Sequence, residues 1–261
     1  MKHSCGRPVP VKSSGLLEEN ISKLKKIYYY LNKYNITYHY APTSFVSNIL
    51  SRMFGCKKNK FVIASQPRTD YLSSLDLNYS NNRNSKFNVL YAPTWRNNSR
   101  NFFEMFKLEE IKKFKDKLDK IGVSFTYRPH PLFDFPDEIK NTLNISTKEC
   151  EPEICDFLSS YDLLVTDYSS ISIDYLILDK PIIIFNYDYD IYSIDNGFCF
   201  DFEEYNPGEK VKDLDELYQS IFNNIKDKDK FKDNRRTLHN LINGEYKNSS
   251  EIFIRDILND K

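Results

Sequence analysis

The sequence predicts an α/β protein built around parallel sheet, and three observations predict it. Short runs that read as strands at Phe87–Ala92, Val123–Pro131, Leu163–Val165 and Ile182–Ile184 alternate with segments of helical periodicity, the pattern of strands joined by crossover helices. The runs end in polar turns such as PTWR, RPHP and TDYSS, at the strand ends where open α/β sheets bind ligands. The stretch from Leu164 to Asp188 holds a strand, a polar turn, a helix and a second strand in close succession.

That stretch organises the rest. Leu163, Leu164 and Val165 are followed by Thr166, Asp167, Tyr168, Ser169 and Ser170, residues that cap helices and donate hydrogen bonds. Ile171, Tyr175 and Leu178 fall on one helical stripe, and Pro181 stops the helix before Ile182. A helix start at the carboxyl edge of a sheet offers free N–H groups to an anion. Ser169 and Ser170 are the donors there. Asp167 does not favourably face a phosphate, so it reads as a cap or as the acceptor of a sugar or polyol hydroxyl. Asp174, one turn on, either holds the phosphate loop or is a surface aspartate.

Along the chain, residues 1–15 show no period, and Glu18–Leu31 is expected to be helical. Ile36–Ala41 and Phe61–Ala64 read as strands, with a helix from Phe45 ended by Gly55 between them. SQPRTDYL follows as a polar turn. Residues 76–86, rich in Ser and Asn, read as a linker between a partial first lobe, 1–75, and a second lobe, 87–261. In that second lobe Glu104–Ile121 is expected as one long Lys-rich helix with a solvated face. Pro152–Ser159 reads as a helix, the chain is irregular from Asp190 to Leu214, and helices follow at 214–225, 231–242 and 250–258. YAPTS at 40–44 and YAPTW at 91–95 are either an echo of two Rossmann-like lobes or a coincidence.

Charge excludes whole classes of partner. With 37 basic and 37 acidic residues the net charge is +0, so no global field recruits nucleic acid or anionic lipid. Any anion site is local. The five cysteines lack zinc-ligand spacing and read as reduced thiols of a cytosolic protein. GxGxxG and GxxxxGK[ST] are missing, which leaves dinucleotide and P-loop readings unsupported.

Among the four histidines, His130 stands out, because Pro129 and Pro131 restrict its backbone at a strand end beside Arg128. It reads as a general base or a cationic clamp on phosphate. Arg96 follows a strand in the same way, and its guanidinium suits a diphosphate. Trp95 is assigned to packing. Asp188 and Asp190 make an Asp-Tyr-Asp sequence that keeps a divalent metal open as an option, although no cofactor is required.

Together YAPTWR, RPHP, TDYSSISIDY and KPIIIFNYDYDIY resemble the CDP-glycerol glycerophosphotransferase family of teichoic-acid and capsule polymerases. SQPRTDYL looks like that family's Gly-Tyr-Pro-Arg turn, with Ser65 and Gln66 in place of Gly and Tyr. GFCFDFEEYNPGEKV and NGEYKNSSEIFIRDI resemble its later segments, the second with Asn243 for Asp. The start departs most: His3 is separated from Gly6 by Ser4 and Cys5.

The resemblance implies a GT-B-like architecture of two Rossmann-type lobes facing a cleft, with the N-terminal lobe truncated. It implies CDP-glycerol or CDP-ribitol as donor, a polyol-phosphate or glycan acceptor that is lipid-linked, release of CMP, and work on the inner face of the cell membrane through peripheral contact. It carries over His130 and His3 as catalytic residues, with Thr94, Arg96, Arg128, Asp167, Ser169, Ser170 and Asp174 on the donor. Two other readings stay open, a nucleotide-binding remnant and a GT-B transferase for a nucleotide sugar.

Overall fold

The computed structural model describes residues 39–54, 57, 61–75, 86–96, 102–129, 138, 142–147, 153–195, 197–198, 201–226, 228–244 and 248–259. The strands are β1 (His39–Ala41), β2 (Phe61–Ile63), β3 (Phe87–Tyr91), β4 (Val123–Tyr127), β5 (Asn144–Ile145), β6 (Leu163–Thr166), β7 (Ile182–Phe185) and β8 (Glu209–Val211). The helices are α1 (Ser44–Phe54), α2 (Pro67–Ser74), α3 (Phe102–Met105), α4 (Leu108–Lys120), α5 (Ile171–Tyr175), α6 (Tyr189–Asp195), α7 (Leu214–Ile225), α8 (Lys232–Ile242) and α9 (Ser249–Asn259). The α/β class expected from the sequence is the class observed.

The chain forms two compact units. The second unit, residues 71–188 and 206–239, holds a six-stranded sheet in the order β5-β4-β3-β6-β7-β8. Every pairing in it is parallel. The chain starts at the middle with β3, moves outward through β4 and β5, then returns to β3's other side with β6. The order therefore reverses between β3 and β6, the kind of switch point at which open α/β sheets bind ligands.

Strand alternation sorts the core. Val89, Tyr91, Phe125, Leu163, Val165, Ile183 and Phe185 share one face, where Ile111, Phe114 and Leu118 of α4 and Leu214, Leu217 and Ile221 of α7 cover them. β6 and β7 are buried at every position, which is why they read as continuous apolar runs. Each such side chain contributes roughly 1.5–3 kcal/mol by burial. The lysines of α4 lie opposite its buried stripe: Lys115 pairs with Asp119 at 2.5 Å and Lys117 with Asp215 at 2.8 Å. α7 starts at Asp213, whose carboxylate accepts from the amides of Asp215 and Glu216.

The first unit takes the chain up to residue 70, then 189–205 and from 240 onward. The sequence reading runs the second lobe unbroken from 87 to 261, whereas the packing gives 189–205 and 240 onward to the first unit. Side chains account for this. Thr43 Oγ1 donates to Leu241 O at 2.7 Å, and Ser65 Oγ donates to Asn243 O at 2.9 Å. The Asp70 carboxylate accepts from Ser249 N at 2.6 Å and Ser249 Oγ at 2.8 Å, capping α9. Tyr40 meets Phe253, Phe45 meets Tyr205, and Phe198 stacks on Phe202 and Tyr189.

Several local expectations change. SQPRTDYL is not a turn beyond its first residues, because Pro67 opens helix α2 from the position where a missing N–H costs nothing. The long helix expected from Glu104 breaks at Phe106 and Lys107 into α3 and α4, where Lys107 is extended and its amide donates to Glu110 at 2.8 Å. The helix expected at 152–159 is two 3-10 turns, Ile154–Asp156 and Leu158–Ser160. α5 tightens into a 3-10 turn, Leu176–Leu178, and ends at Asp179 with φ 51°, before Pro181 is reached. The irregular stretch after Asp190 contains most of α6 and all of β8. The helix expected at 18–31 and most of the linker at 76–86 lie outside the described residues.

Candidate functional site

The loops after β3, β6 and β7 frame the switch point. Beyond β3, Ala92 N donates to Val165 O at 3.0 Å and Thr166 Oγ1 donates to Ala92 O at 2.7 Å, so residues 92–96 leave the sheet bound to β6. Thr94 N then donates to Asp167 Oδ1 at 2.7 Å, and Tyr168 N donates to the same oxygen at 2.6 Å. Asp167 thus caps no helix. It fastens the loop after β3 to the loop after β6.

Arg96 sits at the centre of this arrangement. Its Nε donates to Asp188 Oδ2 at 2.7 Å, and Nη2 donates to Asp188 Oδ1 at 3.1 Å and to Asp167 Oδ2 at 2.7 Å. Nη1 donates to Thr94 O at 2.7 Å. The Tyr168 hydroxyl donates to Asp188 Oδ1 at 3.2 Å, and its ring lies 5.3 Å from the guanidinium carbon. The side chains of Arg96, Asp167 and Asp188 are 7%, 0% and 2% exposed, so solvent and salt screen them little.

The electrostatics follow from that burial. Burial acts to depress the Arg96 pKa, but the carboxylates of Asp167 and Asp188 more than offset it and hold the guanidinium's pKa above its ordinary value. Burial first, then the same carboxylates, push Tyr168 up. Burial also raises Tyr127 and Tyr187, with Asp167 adding to both. All three tyrosines therefore serve as neutral hydroxyls at physiological pH.

The remaining expected residues make other contacts. Arg128 follows β4, and its amide donates to Tyr91 O at 2.8 Å. Its Nη1 donates to Ser146 Oγ at 2.6 Å, and its guanidinium carbon lies 5.2 Å from the Phe157 ring centroid. Thr94 Oγ1 is buried without a hydrogen-bond partner among the described residues. Ser169 Oγ accepts from Ile171 N at 3.5 Å, whereas Ser170 sits at the helix start with no side-chain cap. Asp174 is buried, which removes the surface reading. α5 itself has 5 residues, so its dipole is weaker than that of the longer helix expected. His130 and His3 lie outside the described residues.

Sequence reasoning did not assign Asp188 and Tyr168 to this cluster. Asp188 was visible only as half of an Asp-Tyr-Asp pattern, and both of its oxygens accept from Arg96 or Tyr168. No group of three or more His, Cys, Asp and Glu able to hold a metal occurs among the described residues. In the fold Asp188 is engaged by Arg96 and Tyr168. The signal that fits is a carboxylate just past one buried strand and an arginine just past another.

A parallel sheet in this order, with polar and charged groups gathered at its reversal, defines a doubly wound α/β unit. The fold is similar to that of the wall teichoic acid polymerase TagF, with a TM-score of 0.70 at 20% identity, covering 97% of this chain and 66% of that one. A UDP-GlcNAc 2-epimerase from Neisseria meningitidis is more distant, with a TM-score of 0.51 at 16% identity over 97% of this chain and 68% of that one. The sequence matches the family described as CDP-Glycerol:Poly(glycerophosphate) glycerophosphotransferase over residues 9–258, and the chain belongs to that family. The matched span includes His130 and not His3.

Its curated relatives agree. The teichoic acid ribitol-phosphate polymerase TarK of Staphylococcus aureus is 26% identical over 74% of this chain and 40% of its own length. The teichoic acid glycerol-phosphate primase of Bacillus subtilis is 28% identical over 67% of this chain and 46% of its own. A poly(glycerol phosphate) polymerase of the same organism is 30% identical over 72% and 26%. The chain spans less than half the length of each of these three relatives.

Proposed function

We propose that this chain transfers glycerol phosphate or ribitol phosphate from a CDP-alditol to a hydroxyl of a polyol-phosphate acceptor, teichoic-acid-like or capsular, and releases CMP. The observation that carries the reading is the coincidence of family and place. The chain belongs to a glycerophosphotransferase family, and its YAPTWR and TDYSS segments meet at the switch point of a doubly wound sheet.

In this reading the acceptor oxygen attacks the alditol-bearing phosphorus. The bond from that phosphorus to the CMP oxygen breaks, and CMP leaves with the electron pair. Phosphoryl transfer asks the protein mainly for position and for charge stabilisation. His130 takes the acceptor proton or balances charge on the diphosphate, and His3 takes the other role. Arg128, Thr94, Ser169 and Ser170 supply donors to the CDP-alditol, while Arg96, Asp167 and Asp174 hold the loops that present it. The acceptor is lipid-linked, and the protein works from the cytoplasm against the inner membrane face through peripheral contact. None of the described helices is long and apolar enough to cross a membrane, which is consistent with that placement.

The test is a donor panel of CDP-glycerol, CDP-ribitol and common nucleotide sugars, with CMP or UDP release as readout. CMP release from either CDP-alditol in the presence of a glycerol-phosphate oligomer is the expected result. Turnover of a nucleotide sugar alone overturns the reading, as does CDP-glycerol binding with no release.

A further inference from the structure

We propose that Asp188 is a positioning residue of the donor site: with Tyr168 it pins Arg96, and through Arg96 it fixes residues 92–96 against the carboxyl end of β6. The proposal rests on the donor-site reading above and adds two residues to it.

The geometry is that of a clasp. Asp188 is 4% exposed, and its two oxygens meet the Nε and Nη2 edge of Arg96 at 2.7 and 3.1 Å. This two-point pairing fixes the plane of the guanidinium as well as its location. Tyr168 adds a hydroxyl to the same carboxylate and lays its ring near the guanidinium. Asp167 takes the remaining side of Nη2 and, with its other oxygen, the amides of Thr94 and Tyr168. Segments that follow three different strands, β3, β6 and β7, are thereby closed into one network around the sheet's reversal.

Charge balance argues that position is the purpose. One guanidinium needs one carboxylate, and here two buried carboxylates face it. Burying a second carboxylate adds a desolvation cost that a well-packed apolar side chain would not carry, so the arrangement is a poor device for stability alone. A second anchor does make sense if the loop carrying Thr94 must be held in one place from two directions. It also follows that Arg96, with its fork turned to Asp167, Asp188 and Thr94 O, acts on the donor through the loop it holds.

The sole tryptophan, Trp95, neighbours Arg96 and reports on that loop independently of activity. The experiment compares wild type with Asp188→Asn and Asp188→Glu by acrylamide quenching of Trp95, by melting temperature and by steady-state CMP release. Losing the charged acceptor in Asp188→Asn is expected to raise the donor KM about tenfold or more with kcat within about threefold, the size of one charge-assisted hydrogen bond. Trp95 quenching is expected to rise in parallel, and Asp188→Glu to recover part of both. Unchanged quenching overturns the proposal, and so does a lowered melting temperature with unchanged KM. If wild type releases CMP from neither CDP-alditol, the functional reading has failed, and quenching alone then decides the pin. Should Asp188→Asn fail to fold, Tyr168→Phe removes one hydroxyl from the clasp. A KM rise of about threefold is then expected, and an unchanged KM overturns the proposal.

Discussion

Gly208 offers a sharp test of how β8 is seated. It lies in the NPGEKV segment immediately before β8, and a Cβ built on it falls 1.8 Å from Ile182 O, 2.6 Å from Ile182 C and 3.4 Å from Ile183 N. Those atoms are the backbone of β7, so no rotamer change relieves the clash. Gly208→Ala must instead push β8 away from β7, where Ile183 pairs with Glu209 and Phe185 with Val211. It also strains the bond from Asn186 N to Val211 O at 3.0 Å. Overpacking costs about 1–3 kcal/mol and each weakened ladder bond about 0.5–1.5 kcal/mol. The sum is about 3 kcal/mol, or roughly 6–12 °C in melting temperature for a chain of this size. Gly122→Ala is the matched control. Its φ is 76° and no atom of the described residues lies within 4 Å of the added carbon, so the left-handed backbone sets the cost, at about 1–2 kcal/mol. Urea melts followed by Trp95 fluorescence monitor the second unit. If Gly208→Ala melts no earlier than Gly122→Ala, the close seating of β8 on β7 is refuted.

Three further outcomes are expected. His130→Ala should abolish CMP release in a protein that still folds by circular dichroism; undiminished release would remove His130 from the chemistry. Asp70→Ala deletes the acceptor for Ser249 N and Oγ, and loss of such a cap should destabilise the first unit by about 1–2 kcal/mol, read by hydrogen exchange along α9. Burial acts to raise the pKa of Asp229, but its bonds to Arg235 and to the Phe231 amide outweigh burial and hold it below the ordinary value. A depressed folded value gives stability that is complete above the unfolded pKa and is lost as pH falls through the folded one. Asp229→Asn should therefore flatten the acid limb of melting temperature measured between about pH 6 and about pH 2, and an unchanged limb would exclude the pair from acid unfolding.

What the sequence reveals tracks the physics of burial. β6 and β7 were legible because strands buried on both faces must be apolar throughout, and LLVT and IIIF are nearly so. β8 was hidden because EKV sits at an edge, where one face meets water and charge is tolerated. α2 was hidden for a related reason: PRTDYLSS has little apolar periodicity, and its helix opens on a proline and is tied by Asp70 to Ser249 of α9 rather than marked by a stripe. The same limit governed the site. Ser169, Ser170 and Arg128 could be placed just past strand ends because that inference needs only a strand and its next few residues.

Arg96 was readable as a strand-end cation, but its role depends on Asp188, 92 positions away, and no local pattern encodes such a pairing. Read locally, Asp188 pairs with Asp190 and suggests a metal. Read in the fold, it faces Arg96 across β6, and its oxygens are already engaged. That change redistributes charge in the proposed reaction. A diphosphate at the switch point would meet a cluster in which one guanidinium already faces two carboxylates, so Arg96 offers it no uncompensated positive charge. On the proposed reading its attraction comes from Arg128, from His130 and from hydroxyl and amide donors along 94 and 168–171. Substitution of Arg128 should accordingly weaken donor binding more steeply with salt than substitution of Arg96, because on that reading the first removes a charge that meets the ligand and the second one already paired with Asp167 and Asp188.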